Sequence, residues 1–250
     1  MIPFINQLMH KSLEIYKYSG KNIVAHKIEA GNWATETDIQ IEKYILNSIR
    51  KKFPSHALLS EETMTQVDSS LSDIWIIDPL DGTTNFSYGI PFFGTAIAYM
   101  KNEILMDAGV INLSTGDIYT AILGKGAYKN GKQLHVKNKP IRGTMVCTGS
   151  PYSYANLEKE LPFITSTHRL GGRIVILGSA VIESMLVCEN IFSLYFEIGL
   201  KPWDIAASSL LIEESGGKVC DLSGKKINIF NNKGFVGGNK ASVNEFVDVT

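Results

Sequence analysis

The sequence predicts an α+β arrangement in its first half and an α/β arrangement in its second half, and three observations support this. Two amphipathic helix patterns open the chain, and strands of alternating hydrophobicity separated by turns fill residues 92–122. From residue 145 onward, strands and helices alternate. With 250 residues, of which 44% are hydrophobic, the chain can form one large domain or two closely packed smaller ones.

The two predicted N-terminal helices differ in how clearly their ends are marked. Apolar residues fit a helix over residues 4–18, and Gly20 is suited to end it. Thr37 and Gln40 have the spacing of a capping box, which predicts the start of a second helix. Its apolar face continues through residues 41–53, and a proline follows.

Strand patterns surround and follow the second helix. We expect an extended piece at residues 23–28, a short strand at 57–60 and a buried strand at 75–77. Residues 92–122 predict an antiparallel meander. The glycine-rich segment 124–131 lacks dinucleotide-binding spacing, and its Asn-Gly step predicts a hairpin.

A polar segment around residues 137–142 marks a boundary between two subdomains. We therefore expect an N-terminal α+β subdomain over residues 1–138 and a C-terminal α/β subdomain over residues 139–250. The elements predicted in the second part are a strand at 145–148, a helix at 179–188, a strand at 193–197 and a helix that opens at Pro202 and ends at Gly216-Gly217.

The strand at 75–77 leads into two carboxylates, Asp78 and Asp81. Pro79 and Gly82 favour a sharp turn here, so both carboxylates can converge on one point. Carboxylates and a backbone carbonyl are ligands that suit a hard cation such as Mg²⁺. Taken alone, a D-P-x-D-G sequence is also common in solvated turns.

Further polar residues lie next to predicted strands and helix starts. A helix that begins after Gly82, at the Thr-Thr-Asn run, would present free N–H groups to an anion. Glu61 and Glu62 follow an apolar run, although neighbouring glutamates are usually surface residues. Asp38 and Asp204 fall in the first turns of predicted helices, where each could simply complement the helix dipole.

Composition excludes several classes of function. The net charge is −1 and no basic stripe is present, so we expect no nucleic-acid partner. The N-terminus lacks a secretory pattern and no apolar run could span a membrane, which predicts a cytoplasmic protein without a membrane partner. Cys147, Cys188 and Cys220 are widely spaced, which favours buried thiols over a zinc or redox site.

Several motifs, in order along the chain, resemble those of the inositol monophosphatase family. The members of this family are Mg²⁺-dependent, Li⁺-sensitive phosphomonoesterases. The motifs are residues 34–38, Ser60-Glu61-Glu62, residues 75–86, residues 124–131, Gly178-Ser179-Ala180, and Glu197 followed by Lys201-Pro202-Trp203-Asp204. The resemblance covers nearly the whole chain. It implies the family's layered αβαβα sugar-phosphatase fold, a homodimer, and two to three Mg²⁺ ions in each active site.

The resemblance also assigns roles to residues. The metal ligands it implies are Glu61, Asp78, the carbonyl of Leu80, Asp81 and Asp204, with Glu62 a less favoured alternative to Glu61. The catalytic residues it implies are Asp38, Thr83 and Glu61. The substrate-binding residues it implies are Gly82, Thr83, Gly178, Ser179, Ala180, Glu197 and Asp204.

The activity that the resemblance implies is hydrolysis of inositol monophosphate to inositol and phosphate, with a small phosphorylated polyol or sugar as the substrate class. Fructose 1,6-bisphosphate, histidinol phosphate and 3′-phosphonucleotides are alternative substrates for the same chemistry. A non-catalytic regulatory member of the fold, in contact with the transcription machinery, is a second class of function. A nucleotide-binding kinase or oxidoreductase is disfavoured because neither a Walker A loop nor a dinucleotide fingerprint is present.

Overall fold

The computed structural model describes residues 1–20, 23–26, 33–63 and 71–249. Its helices are α1 (Ile2–Tyr18), α2 (Glu36–Lys52), α3 (Thr83–Tyr88), α4 (Tyr154–Arg169), α5 (Ala180–Cys188), α6 (Pro202–Glu214) and α7 (Lys240–Asp248). Its strands are β1 (Ile23–His26), β2 (Trp33–Thr35), β3 (Ala57–Ser60), β4 (Asp73–Asp81), β5 (Gly94–Lys101), β6 (Ile104–Asn112), β7 (Ile118–Ile122), β8 (Gly126–Lys129), β9 (Lys132–Gln133), β10 (Met145–Thr148), β11 (Arg173–Val175), β12 (Leu194–Glu197), β13 (Lys218–Cys220) and β14 (Phe235–Gly238).

The strands form two large sheets and a small β1–β2 ribbon. The first large sheet has seven strands, β3 to β9, in chain order, with β3 and β4 parallel and all later pairs antiparallel. The predicted meander and the Asn-Gly hairpin are both confirmed. Asn130 and Gly131 have φ of 49° and 79°, as a tight hairpin turn between β8 and β9 requires.

The second sheet has five strands in the order β11-β10-β12-β14-β13. Strand β10 runs parallel to both β11 and β12, whereas β14 is antiparallel to its neighbours. The carboxyl ends of β10 and β12 therefore lie side by side at one edge of this sheet. In parallel sheets this edge is a common place for ligand-binding residues.

Helices and sheets alternate in five layers. Helices α1 and α2 cover one face of the seven-stranded sheet, α5 and α6 fill the space between the two sheets, and α4 and α7 cover the outer face of the five-stranded sheet. Helices α5 and α6 are buried on almost all sides, which explains why they are apolar all round. The predicted αβαβα fold is confirmed.

The predicted start of the second helix is wrong in detail. Helix α2 begins at Glu36, and its capping box joins Thr35 and Asp38 rather than Thr37 and Gln40. The reason is that the Asp38 carboxylate accepts a hydrogen bond from the Thr35 backbone N–H at 3.0 Å. The Gln40 side chain instead donates to Glu36 on the helix surface.

Strand β4 is longer than predicted, so Asp78 does not lie at its end. The strand continues to Asp81 through a bulge, because Asp78 pairs with Ala96 and Asp81 with Gly94. Pro79 lies inside the bulge, where its missing N–H breaks no ladder bond. The bulge is what lets two carboxylates three residues apart face the same space.

Helices α4 and α7 and strands β11, β13 and β14 were not predicted. Of the extended piece predicted at 23–28, residues 23–26 form β1 and the rest lies outside the described residues. The division at residue 138 stays a prediction: the two sheets lie on either side of it, yet α5 and α6 pack against both. All three cysteines are free and buried. No helix in the described ranges is long and apolar enough to cross a membrane.

Candidate active site

The turn between β4 and α3 presents two of the carboxylates. The Asp78 carboxylate accepts a hydrogen bond from the Leu80 N–H at 3.0 Å, which fixes the aspartate across the bulge. The Thr95 hydroxyl donates to the Pro79 carbonyl at 2.7 Å and ties the same bulge to β5. The backbone around Asp81 is therefore held from two sides.

Gly82 is the one residue of this turn whose type is dictated by space and by backbone angle together. Its φ is +80°, and a Cβ atom there would lie 2.6 Å from the carbonyl oxygen of Phe92. Helix α3 starts immediately afterwards, at Thr83. The N-terminus of α3 thus faces the same space as Asp81.

Helix α5 fixes the orientation of the Asp81 side chain. One oxygen of its carboxylate accepts a hydrogen bond from the Val181 N–H at 3.0 Å and another from the Ser179 hydroxyl. Ser179 caps α5, and Val181 lies in its first turn, where backbone N–H groups have no partner within the helix. The first and second halves of the chain meet at this contact.

Helix α6 brings in the third carboxylate of the cluster. Asp204 lies in its first turn and accepts a hydrogen bond from the Lys201 N–H at 2.6 Å. Asp78, Asp81 and Asp204 can each place a carboxylate oxygen within 4.8 Å of the others. Asp204 does complement its helix start, but it also completes a group of three acids.

Asp38 lies behind this cluster and contacts it through Thr83. The Thr83 hydroxyl is 2.9 Å from the Asp38 carboxylate and 2.8 Å from the Leu80 carbonyl oxygen. The other Asp38 oxygen is held by Thr35 through its N–H and its hydroxyl. Asp38 is fully buried, so the Thr83 hydroxyl is the group of this pair that reaches the open space.

Glu61 borders the same space, although it is not part of the tight group of three. The turn that carries it is anchored by the buried Glu42, whose carboxylate accepts hydrogen bonds from the N–H groups of Glu62 and Thr63, both at 3.1 Å. Glu62 does not line the space. The position of the turn therefore agrees with the preference for Glu61 over Glu62.

The electrostatics of the acids are dominated by burial. Loss of solvation raises the pKa of Asp38 to about 6 and that of Asp81 to about 6, and the nearby Glu61 charge adds to both shifts. Burial, followed by Glu61 and Asp81, raises the pKa of Asp204 well above its usual range. The hydrogen bonds from Thr35 and Thr83 lower the pKa of Asp38 but do not offset its burial.

This donor set fits a divalent cation. Among the described residues that line the space, five are acids and Lys201 is the one basic residue, so negative charge predominates there. Carboxylate oxygens with a neighbouring backbone carbonyl are the ligands that Mg²⁺ prefers. A bound cation would relieve the repulsion that raises the pKa values.

The open space is a cavity of about 530 Å³. Of the site residues singled out from the sequence, all except Asp38 and the less favoured Glu62 line it. These are Glu61, Asp78, Leu80, Asp81, Gly82, Thr83, Gly178, Ser179, Ala180, Glu197 and Asp204. The Asn85 amide holds two parts of the cavity lining together. It donates a hydrogen bond to the Leu177 carbonyl at 2.7 Å and so ties α3 to the Gly178 segment.

One wall of the cavity was not found from the sequence. It consists of Gly149, Ser150, Pro151, Tyr152, Ser153, Asn156, Ile198, Gly199 and Leu200. These residues follow the carboxyl ends of β10 and β12. The signal that could have found them is their place directly after predicted strands, as for the acids after β3.

Glu197 faces the cavity from this wall. Burial raises its pKa to about 8, and the charges of Glu160 and Asp81 add to the shift. The cavity is thus lined both by the group of three aspartates and by Glu197, which can contact a polar group of a ligand. Such a lining suits a ligand that combines an anionic group, bound with a cation, with an uncharged polar group.

Comparison with known proteins identifies relatives along almost the whole chain. The profile of the inositol monophosphatase family matches residues 4–247. The chain is 36% identical over 197 residues to a Pasteurella multocida protein named Nus factor SuhB, with 77% of this chain and 73% of the relative covered. It is 31% identical over 228 residues to inositol monophosphatase 1 of Bos taurus, with 86% and 80% covered.

Solved structures give the same result for the fold. An IMPase structure from Thermotoga maritima superposes with a TM-score of 0.88 at 30% sequence identity. The alignment covers 99% of this chain and 95% of the other.

Proposed function

Because the chain belongs to the inositol monophosphatase family, we propose that it is a Mg²⁺-dependent phosphomonoesterase that hydrolyses inositol monophosphate to inositol and phosphate. Family membership supports a phosphatase with a phosphorylated substrate. The observation that carries the finer proposal is the group of Asp78, Asp81 and Asp204 within 4.8 Å of one another, beside the N-terminus of α3. A phosphate and a cation can meet there.

The carboxylates at this end of the cavity would hold the metal. Asp78, Asp81, Asp204, Glu61 and the carbonyl of Leu80 are the groups we assign to two or three Mg²⁺ ions. When bound, Mg²⁺ supplies positive charge that offsets the phosphate dianion and lowers the pKa of a nearby water. Without it, the acids would repel the substrate.

Thr83 and Asp38 would orient the attacking water. The Thr83 hydroxyl has one proton, and donating it to Asp38 leaves a lone pair that can accept a hydrogen bond from water. Asp38, through Thr83, or Glu61 directly, can take up the proton that the water loses. Asp38 is fixed by Thr35, so the water would be held in one orientation.

The rest of the cavity would bind the two halves of the ester. We assign the backbone N–H groups of Gly82 and Thr83, at the start of α3, to the phosphate oxygens. We assign the alcohol to the segment Gly178–Ala180 and to Glu197, with Asp204 between the two halves. Glu197 favours an alcohol that carries hydroxyl groups.

The test is phosphate release from a panel of esters with and without Mg²⁺. The panel contains inositol 1-phosphate, fructose 1,6-bisphosphate, histidinol phosphate and 3′-phosphoadenosine 5′-phosphate. We expect Mg²⁺-dependent release that is fastest with inositol 1-phosphate. A faster reaction with another ester would reassign the substrate and keep the chemistry. If the metal-loaded protein releases phosphate from none of these esters, the proposed phosphatase activity is refuted.

A second candidate is a regulatory function, and it is favoured by the 36% identity to a protein named Nus factor SuhB. A regulatory member could bind protein or nucleic-acid partners of transcription whether or not it turns over an ester. The discriminating measurement is retention of transcription proteins by the Asp81→Asn variant. If the variant releases no phosphate but still retains transcription proteins, the regulatory function is supported. If the wild type hydrolyses an ester and neither protein retains transcription proteins, the regulatory function is excluded.

Three further properties stay predictions within this proposal. We propose that the protein is a homodimer, that Li⁺ inhibits it and that it acts in the cytoplasm, as the family resemblance and the sequence indicate. Light scattering of the purified chain, phosphate release at increasing Li⁺ concentration and cell fractionation would test them.

A further inference from the structure

Glu197 is held by a buried tyrosine on its own strand. Tyr195 and Glu197 are two residues apart on β12, so their side chains lie on the same face of the sheet. The Tyr195 hydroxyl donates a hydrogen bond to Glu197 Oε2 at 2.5 Å. Burial and the neighbouring Glu197 and Glu183 raise the pKa of Tyr195 well above its usual range, so the hydroxyl keeps its proton and stays a donor.

Gly149 provides the room in which the Glu197 carboxyl lies. Strand β10 pairs with β12 in parallel, with Thr148 opposite Phe196, and this register places the next residue, Gly149, beside Glu197. A Cβ atom on Gly149 would lie 1.9 Å from the carboxyl carbon of Glu197. Gly149 is not among the glycines with positive φ, so the glycine is required for space alone.

Glu160, from α4, fixes the two strand ends against each other. One of its carboxylate oxygens accepts a hydrogen bond from the Thr148 hydroxyl at 2.5 Å and the other accepts one from the Ile198 N–H at 2.9 Å. Thr148 directly precedes Gly149, and Ile198 directly follows Glu197. The distance between Gly149 and Glu197 is therefore set by a buried contact on the far side from the cavity.

We propose that Tyr195 and Gly149 are positioning residues that hold the Glu197 carboxyl at the cavity wall and thereby select esters of polyhydroxy alcohols. The Tyr195 hydroxyl is hydrogen-bonded to one oxygen of the Glu197 carboxyl. Gly149 has no side chain, so the carboxyl can pack directly against its backbone. A carboxyl in a fixed position can hydrogen-bond a ring hydroxyl, and an alcohol without hydroxyls gains nothing from it. This inference rests on the proposed phosphatase function.

The test compares two substrates that differ only in hydroxyl groups, inositol 1-phosphate and cyclohexyl phosphate. For Tyr195→Phe we expect kcat/KM for inositol 1-phosphate to fall on the order of tenfold, mostly through KM, which is the scale of one hydrogen bond. The rate with cyclohexyl phosphate should stay the same. Gly149→Ala should give the same loss of selectivity by moving the carboxyl.

Tyr119→Phe is the matched control. The Tyr119 hydroxyl also donates to a carboxylate at 2.5 Å, that of Glu189, and Tyr119 is also buried, yet neither residue lines the cavity. Tyr119→Phe should leave the ratio of the two rates unchanged. Thermal unfolding of each variant shows whether it is folded.

The outcomes separate the inference from the proposed function. If the wild type hydrolyses both esters and folded Tyr195→Phe and Gly149→Ala keep the wild-type ratio of rates, or lose both rates equally, the inference is wrong and the phosphatase stands. If the wild type hydrolyses neither ester, both the inference and the proposed phosphatase function are wrong. A selective loss for inositol 1-phosphate in both variants, absent in Tyr119→Phe, supports the inference.

Discussion

Asp81 belongs to a site that is formed largely by residues distant from it in the sequence. Its carboxylate belongs to β4, is oriented by donors from the start of α5, and lies beside Asp204 from α6. Burial raises its pKa to about 6, which is a cost that a cation would relieve. The hydrogen bonds from Ser179 and Val181 join this carboxylate to the second half of the chain.

Replacement of Asp81 is therefore the sharpest test of a single residue. Asp81→Asn keeps the size of the side chain but removes its charge, and we expect Mg²⁺-dependent phosphate release to fall by about 10²–10³-fold, the range for loss of one electrostatic stabiliser. Asp248→Asn, an exposed acid near the end of α7, is the control and should keep the wild-type rate. A rate for Asp81→Asn within a factor of two of the wild type would contradict the assignment.

At the scale of elements, the site depends on the bulge in β4 and the turn into α3. Gly82 is confined by the Phe92 carbonyl, and any movement of the turn would shift Thr83 away from Asp38. The position of Thr83 relative to Asp38 thus depends on the backbone of one glycine.

Gly82→Ala tests this dependence against a glycine with the same backbone angle. Gly116 also has φ of +80°, but a Cβ there would meet only Leu13 at 3.6 Å. Gly116→Ala should lose about 1–2 kcal/mol of unfolding free energy from the left-handed conformation alone, without loss of phosphatase rate.

Gly82→Ala should lose more stability, since a clash adds to the same strain, and should also lose most of the rate. Urea unfolding and phosphate release on both variants are the measurements. Equal effects of the two substitutions on stability and rate would show that the Phe92 contact does not matter.

How far the sequence predicts these elements depends on how strongly each is patterned. The core of β4, the meander and α5 have clear apolar patterns and were predicted close to their bounds. Helix α4 was not predicted, because it carries Pro162 in its interior and buries few side chains. The contact between Gly149 and Glu197 could not be derived either, since it arises from pairing between strands about fifty residues apart.

For single residues, the property that the sequence could not predict was burial in the fold. The family resemblance implies a catalytic Asp38, but without it local sequence patterns suggest only an acid that complements a helix dipole. The structure shows that it is fully buried and bonded to Thr83, forty-five residues away. Local patterns contain no information on such solvation, which depends on packing of α2 against the first sheet.

At the scale of the whole molecule, the layers gather acids that are far apart in the sequence. Asp38 comes from α2, Glu61 from the turn after β3, Asp78 and Asp81 from β4, and Asp204 from α6. The middle helical layer carries Asp204 and the donors to Asp81 onto the edge of the first sheet. We propose that this fold thereby assembles a divalent-cation site.

Calorimetric titration of Mg²⁺ into metal-free protein, near pH 6 and near pH 8, tests this claim most directly. Because the raised pKa values of Asp81 and Asp204 favour their protonated forms, and a cation binds the ionised forms, binding should be tighter at the higher pH and should release protons. We predict saturable binding by the wild type and by Asp248→Asn, and much weaker binding by Asp81→Asn. An absence of saturable binding by the wild type at both pH values, or equal binding by Asp81→Asn, would contradict the account.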